Sequence, residues 1–128
     1  MNEGSIMYSA KGMISCPVDN TFKIISKKFT ILLIRNMLSN QCRFNQFLEN
    51  IPGINSKTLS ARLREMEKNG LIRRTVYHDT PLRVEYYLTE KGLAAKPILD
   101  QMAEFSLKHC SSVIFEDGKP RTLQEVVH

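Results

Sequence analysis

A helix that stops on a glycine and passes without a linker into a β-hairpin leaves a short chain few ways to close a core. Residues 54–74 read INSKTLSARLREMEKNGLIRR. Asn55 suits an N-cap, because its side chain accepts from the free N–H groups of the first helical turn. Leu59, Leu63 and Met66 then recur at i, i+4 and i+7 as one apolar stripe. Gly70 is the expected stop, where the chain needs a residue at ease with positive φ. The following LIRRTVYHDTPLRVEYYLT alternates in two runs. Ile72, Arg74 and Val76 share one face of the first run, and Val84, Tyr86 and Leu88 share one face of the second. HDTPLR between them carries turn residues, so the segment predicts a hairpin with a loop of several residues.

Upstream, Cys16-Pro17 opens a first expected helix, since proline suits the first helical turn. KKFTILLIRNML predicts a second and strongly buried helix. NQCRF is a break or strand stub. FNQFLENI then places Phe44, Phe47, Leu48 and Ile51 at helical spacing, and PGIN is a turn. Downstream, Thr89 caps a last long helix, EKGLAAKPILDQMAEFSLKHC, which Pro97 should kink. Two helices, a short helix, a tight turn, a basic helix and a hairpin, in that order, make a winged helix-turn-helix. The expected class is α+β, mostly α, with a two-stranded wing and dimerisation helices at both ends. Residues 1–14 are expected to be a flexible N-terminus, 15–112 the folded domain, and 113–128 a flexible tail.

The charge distribution points to a partner for the centre. Residues 20–95 hold 13 Lys/Arg against 6 Asp/Glu, while 1–19 hold 1 against 2 and 96–128 hold 4 against 5. A basic middle between mildly acidic flanks suits a polyanion. At about 100° per residue, the face opposite the Leu59 stripe carries Lys57, Ala61, Arg64 and Lys68. Ser60 lies beside it. A small residue at its centre permits close approach to a groove, Arg64 can offer a fork to guanine, and Lys57 suits a phosphate. Glu65 and Glu67 lie off that centre, and Arg62 lies toward the buried flank. The hairpin adds Arg73, Arg74 and Arg83. The structural alternative for Arg83 is an ion pair with Asp79 or Glu85.

Other classes lack their signatures. The early acid and missing apolar stretch of MNEGSIMYSAKGMISCP argue against a secretory signal, so the expected location is the cytoplasm. Cys16, Cys42 and Cys110 have neither a zinc spacing nor the even number of a disulfide framework, and no metal or cofactor is expected. No phosphate-cradling glycine loop and no nucleophile–base grouping is visible, so an enzyme is not expected.

The segments CP, FTILLIRNML, RFNQFLENIPGINSKTLSARLREMEKNGLIRR, PLRVEYYLTEKG and PILDQM resemble the HxlR-type transcription regulators, relatives of the MarR winged-helix proteins. The resemblance covers about residues 15–110. It implies a homodimer on a pseudopalindromic operator in double-stranded DNA. It places Ser56, Lys57, Ser60, Ala61 and Arg64 at recognition-helix positions, Arg43 at a phosphate or in a structural role, and Arg83 at the minor groove or its flanking phosphates. The chain departs from the family at Lys27-Lys28-Phe29, where Gly-Lys-Trp is usual.

A domain this small cannot cover the apolar side of its last helix alone. Ile98, Met102 and Phe105, together with the first helix, are therefore the candidate dimer surface. Cys16, just before a proline at a helix start, matches the sensor cysteine of several such regulators. A sensing thiol needs exposure and a nearby positive potential, which a helix N-terminus supplies. Cys42 and Cys110 are the candidate resolving thiols, and a small-molecule ligand is the other candidate signal. The rival reading is a winged-helix protein-docking module, which requires a neutral or apolar outer helix face.

Overall fold

The computed structural model describes residues 8–127. The expected looseness of 1–14 falls partly on residues 1–7, outside the described part. Helix α1 spans Pro17–Ile25, with Cys16 at its N-cap and Pro17 in its first turn. Helix α2 spans Thr30–Leu38, α3 Phe44–Asn50 and α4 Ser56–Lys68. Strands β1 (Ile72–Tyr77) and β2 (Arg83–Leu88) pair antiparallel, with Ile72 opposite Leu88 and Val76 opposite Val84. The two sets of residues predicted from alternation therefore lie opposite one another and share one face of the hairpin.

The core sits where α2, α3, α4 and the base of the hairpin meet. Leu33, Ile34 and Met37 enter from α2, Phe47 from α3, and Leu59, Leu63 and Met66 from α4. Each such side chain gives roughly 1.5–3 kcal/mol on burial. Tyr86 of β2 sets its ring 6.4 Å from that of Phe47, so the wing is packed onto the core rather than hung from it.

Local hydrogen bonding explains how abruptly α4 turns into β1. The Asn55 side chain accepts from the Thr58 N–H at 2.8 Å and starts the helix. At the other end Gly70 takes φ 75°, the Gly70 N–H donates to the Glu67 carbonyl, and the Leu71 N–H donates to the Met66 carbonyl. This paired pattern closes a helix and turns the chain sharply, and it buries Leu71 as it does so.

Two expectations about helices change. The second helix starts at Thr30 and not at Lys27, because Phe29 adopts a left-handed conformation (φ 75°) and breaks the run. Its half-buried ring packs against the core, with the Lys28 ammonium 5.0 Å from its centre. The single kinked helix after Thr89 is instead two helices, α5 (Glu90–Leu93) and α6 (Lys96–His109). Pro97 stands in the first turn of α6, where no N–H is required, whereas inside a continuous helix it would clash with the carbonyl of Leu93.

Where a loose tail was expected, the chain folds back on itself. It forms α7 (Ser111–Ile114) and α8 (Leu123–Val126). Ser111 Oγ donates to the Gly118 carbonyl at 2.9 Å, and the Arg121 N–H reaches the Leu107 carbonyl. Arg121 grips both oxygens of Asp117 and lies 3.9 Å over the Phe115 ring. The hydrogen bonds from the Arg121 side chain, and then the Lys119 backbone N–H, hold the Asp117 carboxyl down at about 2. A depressed carboxyl of this kind keeps its tie at neutral pH and loses it only as pH falls toward that value. Leu123 and Val126 line one groove with Ile31, Leu32, Leu99 and Ala103. No helix among the described residues is long and apolar enough to cross a membrane.

Candidate nucleic-acid interface

The tight turn Ile51–Asn55 sets α4 across α3 and leaves the side of α4 opposite the core facing outward. Lys57, Arg64 and Lys68 are exposed there, Ser56 is exposed at the start of the helix, and Ser60 and Ala61 are half-buried. Arg74, exposed on β1, meets this face. Ser60, Arg64 and Glu67 of α4 line a groove of about 410 Å³ together with Arg74 and Tyr86 of the wing. The helix reading placed Glu67 off the outward centre. The wing folds over that flank and brings the acid into the groove. Glu67 and Tyr86 are thus members that the helix alone did not reveal.

The basic residues divide by their partners. Arg62, half-buried, pairs with Glu65 at 3.0 Å, as its place on the inner flank predicted. Lys27 reaches the same Glu65 at 4.0 Å. Arg83 sits 3.4 Å from Asp79 and 4.0 Å from Glu85, and stacks 4.1 Å over the Tyr77 ring. Arg43 pairs with Glu85 at 3.3 Å. Both therefore make ion pairs within the chain. By contrast, Lys57, Arg64, Lys68 and Arg74 have no carboxylate within 4.0 Å among the described residues.

A second surface is apolar. Ile98, Met102 and Phe105 of α6 are 36%, 49% and 64% exposed and line an open trough of about 690 Å³ with Pro97. Helix α1 buries none of its residues, and Phe22 joins Met102 along a neighbouring groove. Cys16 is exposed and free at the start of that helix, whereas Cys42 and Cys110 are half-buried.

This arrangement can be set beside known proteins. The family described as HxlR-like helix-turn-helix matches residues 24–113, which include all of α2–α6 and the wing. The chain belongs to the HxlR-like helix-turn-helix family. Among its HxlR-like relatives, the uncharacterized HTH-type transcriptional regulator sll1512 of Synechocystis sp. is 40% identical over 87 residues. That match spans 68% of this chain and 64% of the relative. The uncharacterized HTH-type transcriptional regulator YybR of Bacillus subtilis is 39% identical across 82% of both chains. Among solved structures, the redox regulator HypR in its reduced form superposes with a TM-score of 0.71 at 36% identity, over 77% of this chain and 98% of that one. The winged helix-turn-helix read from the element order is the fold of this family. This HxlR-like chain is a transcriptional regulator, and its relatives are regulators rather than enzymes.

Proposed function

We propose that the chain binds operator DNA specifically and does so as a homodimer. The observation that carries this reading is the face formed by Lys57, Arg64, Lys68 and Arg74, which have no ion-pair partner among the described residues and lie on and beside a helix that suits the major groove. The apolar face of α6 and the uncovered face of α1 supply a symmetric surface for a second copy. Two copies then present their α4 helices to half-sites about 34 Å apart. Selection of bound fragments from a random duplex pool should enrich a motif with two inverted half-sites. A pool that yields no motif would sink the reading.

Within it, Arg64→Ala should weaken operator binding by about 1–3 kcal/mol and relax the sequence preference at one position. Lys57→Ala should weaken all duplexes alike and lower the salt slope by about one unit. Equilibrium titrations on matched and scrambled operators at several salt concentrations separate the two.

The signal proposed for this regulator is an oxidant or electrophile acting at Cys16. The thiol is exposed at the N-cap of α1, on a helix that contributes to the proposed dimer surface. HypR, a structural neighbour, is a redox regulator solved in reduced and oxidised forms. Operator affinity should change on treatment with a mild thiol oxidant and should cease to change in Cys16→Ser. A wild-type protein indifferent to oxidant, or a Cys16→Ser protein that still responds, removes this part of the proposal.

A further inference from the structure

Glu85 is 7% exposed, and it is the one acidic residue among the buried side chains of the described part. Its two oxygens serve different partners. Oε1 accepts from the Tyr87 hydroxyl. Oε2 accepts from Nε and Nη2 of Arg43 at 3.4 and 3.3 Å and faces Nε of Arg83 at 4.0 Å. The Tyr87 hydrogen bond and then the two arginines push the Glu85 carboxyl below its ordinary value against the opposing effect of burial, and the same bond raises the Tyr87 phenol. Glu85 therefore carries a fixed negative charge, seated from behind by the phenol.

The two arginines come from different parts of the chain. Arg43 immediately precedes α3, where the Gln46 side chain accepts from the Cys42 and Arg43 N–H groups. Arg83 opens β2 and is braced by Asp79 and by the Tyr77 ring. Next to this cluster the Tyr86 N–H donates to the Cys42 carbonyl at 2.8 Å, which ties β2 to the approach of α3. The two side chains line one open groove of about 440 Å³ between α3 and the wing. A guanidinium has five N–H donors. Arg43 commits its Nε and one Nη2 hydrogen to Glu85, so most of its donors stay available, and its side chain remains 52% exposed.

We propose that Glu85 is a positioning residue of the DNA-binding surface, holding Arg43 and Arg83 as a preset pair for backbone phosphates beside the wing. The inference rests on the DNA-binding reading above. An arginine already held in one geometry loses less rotamer freedom when it meets a phosphate. The same carboxylate keeps two like charges together that would otherwise repel. Its role is thus opposite in sign to its charge: a negative group that strengthens the binding of a polyanion.

That sign makes the test. Glu85→Gln keeps the size and an acceptor oxygen but raises the net charge by one, which by long-range electrostatics alone tightens DNA binding. The full-length variant is expected to bind the wild-type operator about tenfold more weakly. Its salt dependence should flatten by about one unit as a phosphate contact is lost. A merely structural role lowers the fraction of active protein but leaves that slope alone. Equal or tighter binding by Glu85→Gln overturns the inference. If that variant does not fold, Tyr87→Phe decides: it removes only the phenolic O–H that seats Oε1, and a smaller loss with the same flattening is expected. Unchanged binding by Tyr87→Phe then overturns the proposal. Wild-type protein in the same titrations separates the two levels. A wild type that retains no duplex at low salt refutes DNA binding itself, and this inference with it. A tight wild type with an unaffected variant refutes only the role of Glu85.

Discussion

Phe47→Ala should cost the fold about 3–5 kcal/mol in equilibrium unfolding by urea. Phe47 is 0% exposed at the centre of α3, inside the cluster built by Leu33, Ile34, Leu59 and Leu63. Truncation to alanine leaves a cavity beside the Tyr86 ring, and close-packed surroundings relax only partly into such a space. Domains of this size are typically stable by about 5–15 kcal/mol, so the loss would be a large share of the total. The consequence reaches function, because α3 is the platform on which α4 rests. A measured loss below about 1 kcal/mol would mean that α3 is not packed as described.

Gly92→Ala is the second large effect, expected at about 3 kcal/mol in thermal or denaturant unfolding. A Cβ at this buried position would lie 2.1 Å from the Leu71 carbonyl oxygen and 2.9 Å from Leu88 Cδ2. The carbonyl cannot simply retreat. It accepts from the Thr89 N–H at 3.0 Å, and Leu71 belongs to the turn that closes α4. Around it, Lys91 Nζ donates to the Asn69 carbonyl, and the Thr89 hydroxyl donates to that of Gly70 while capping α5. The start of α5 thus clamps the end of α4 to the end of the wing. Forcing them apart should also shift Arg74 relative to Arg64, so operator affinity in the folded fraction should fall. A variant that unfolds at the wild-type midpoint would show that this contact can relax freely.

Most of the framework was legible in local patterns. Asn55, the Leu59–Leu63–Met66 stripe and Gly70 marked α4, and alternation marked the two strands of the wing. These signals act over a few residues, so a linear reading captures them. Helix boundaries set by competing local preferences were less legible. Periodicity alone predicts a kink at Pro97 within one helix, yet its missing N–H costs nothing at the start of a second. Phe29 gave no sign of its positive φ, because its half-buried ring packs against residues distant in sequence. The tail was read as loose from its polarity. Its order comes from Arg121 gripping Asp117 and from Leu123 and Val126 reaching α2 and α6, contacts that composition does not encode.

The candidate interface divides the same way. Lys57, Arg64 and Lys68 share a face because of helical periodicity alone, and the sequence was sufficient to group them. Which cations remain available was decided by the tertiary structure. Arg64 and Arg74 come together only because the wing folds over α4, and Glu67 joins them for the same reason. Arg43 meets Glu85 across 42 positions of chain, a pairing that depends on how α3 and β2 are docked and that no local spacing could reveal. Periodicity decides which side chains share a direction, but charge pairing depends on distance in space, and only the folded chain sets that distance.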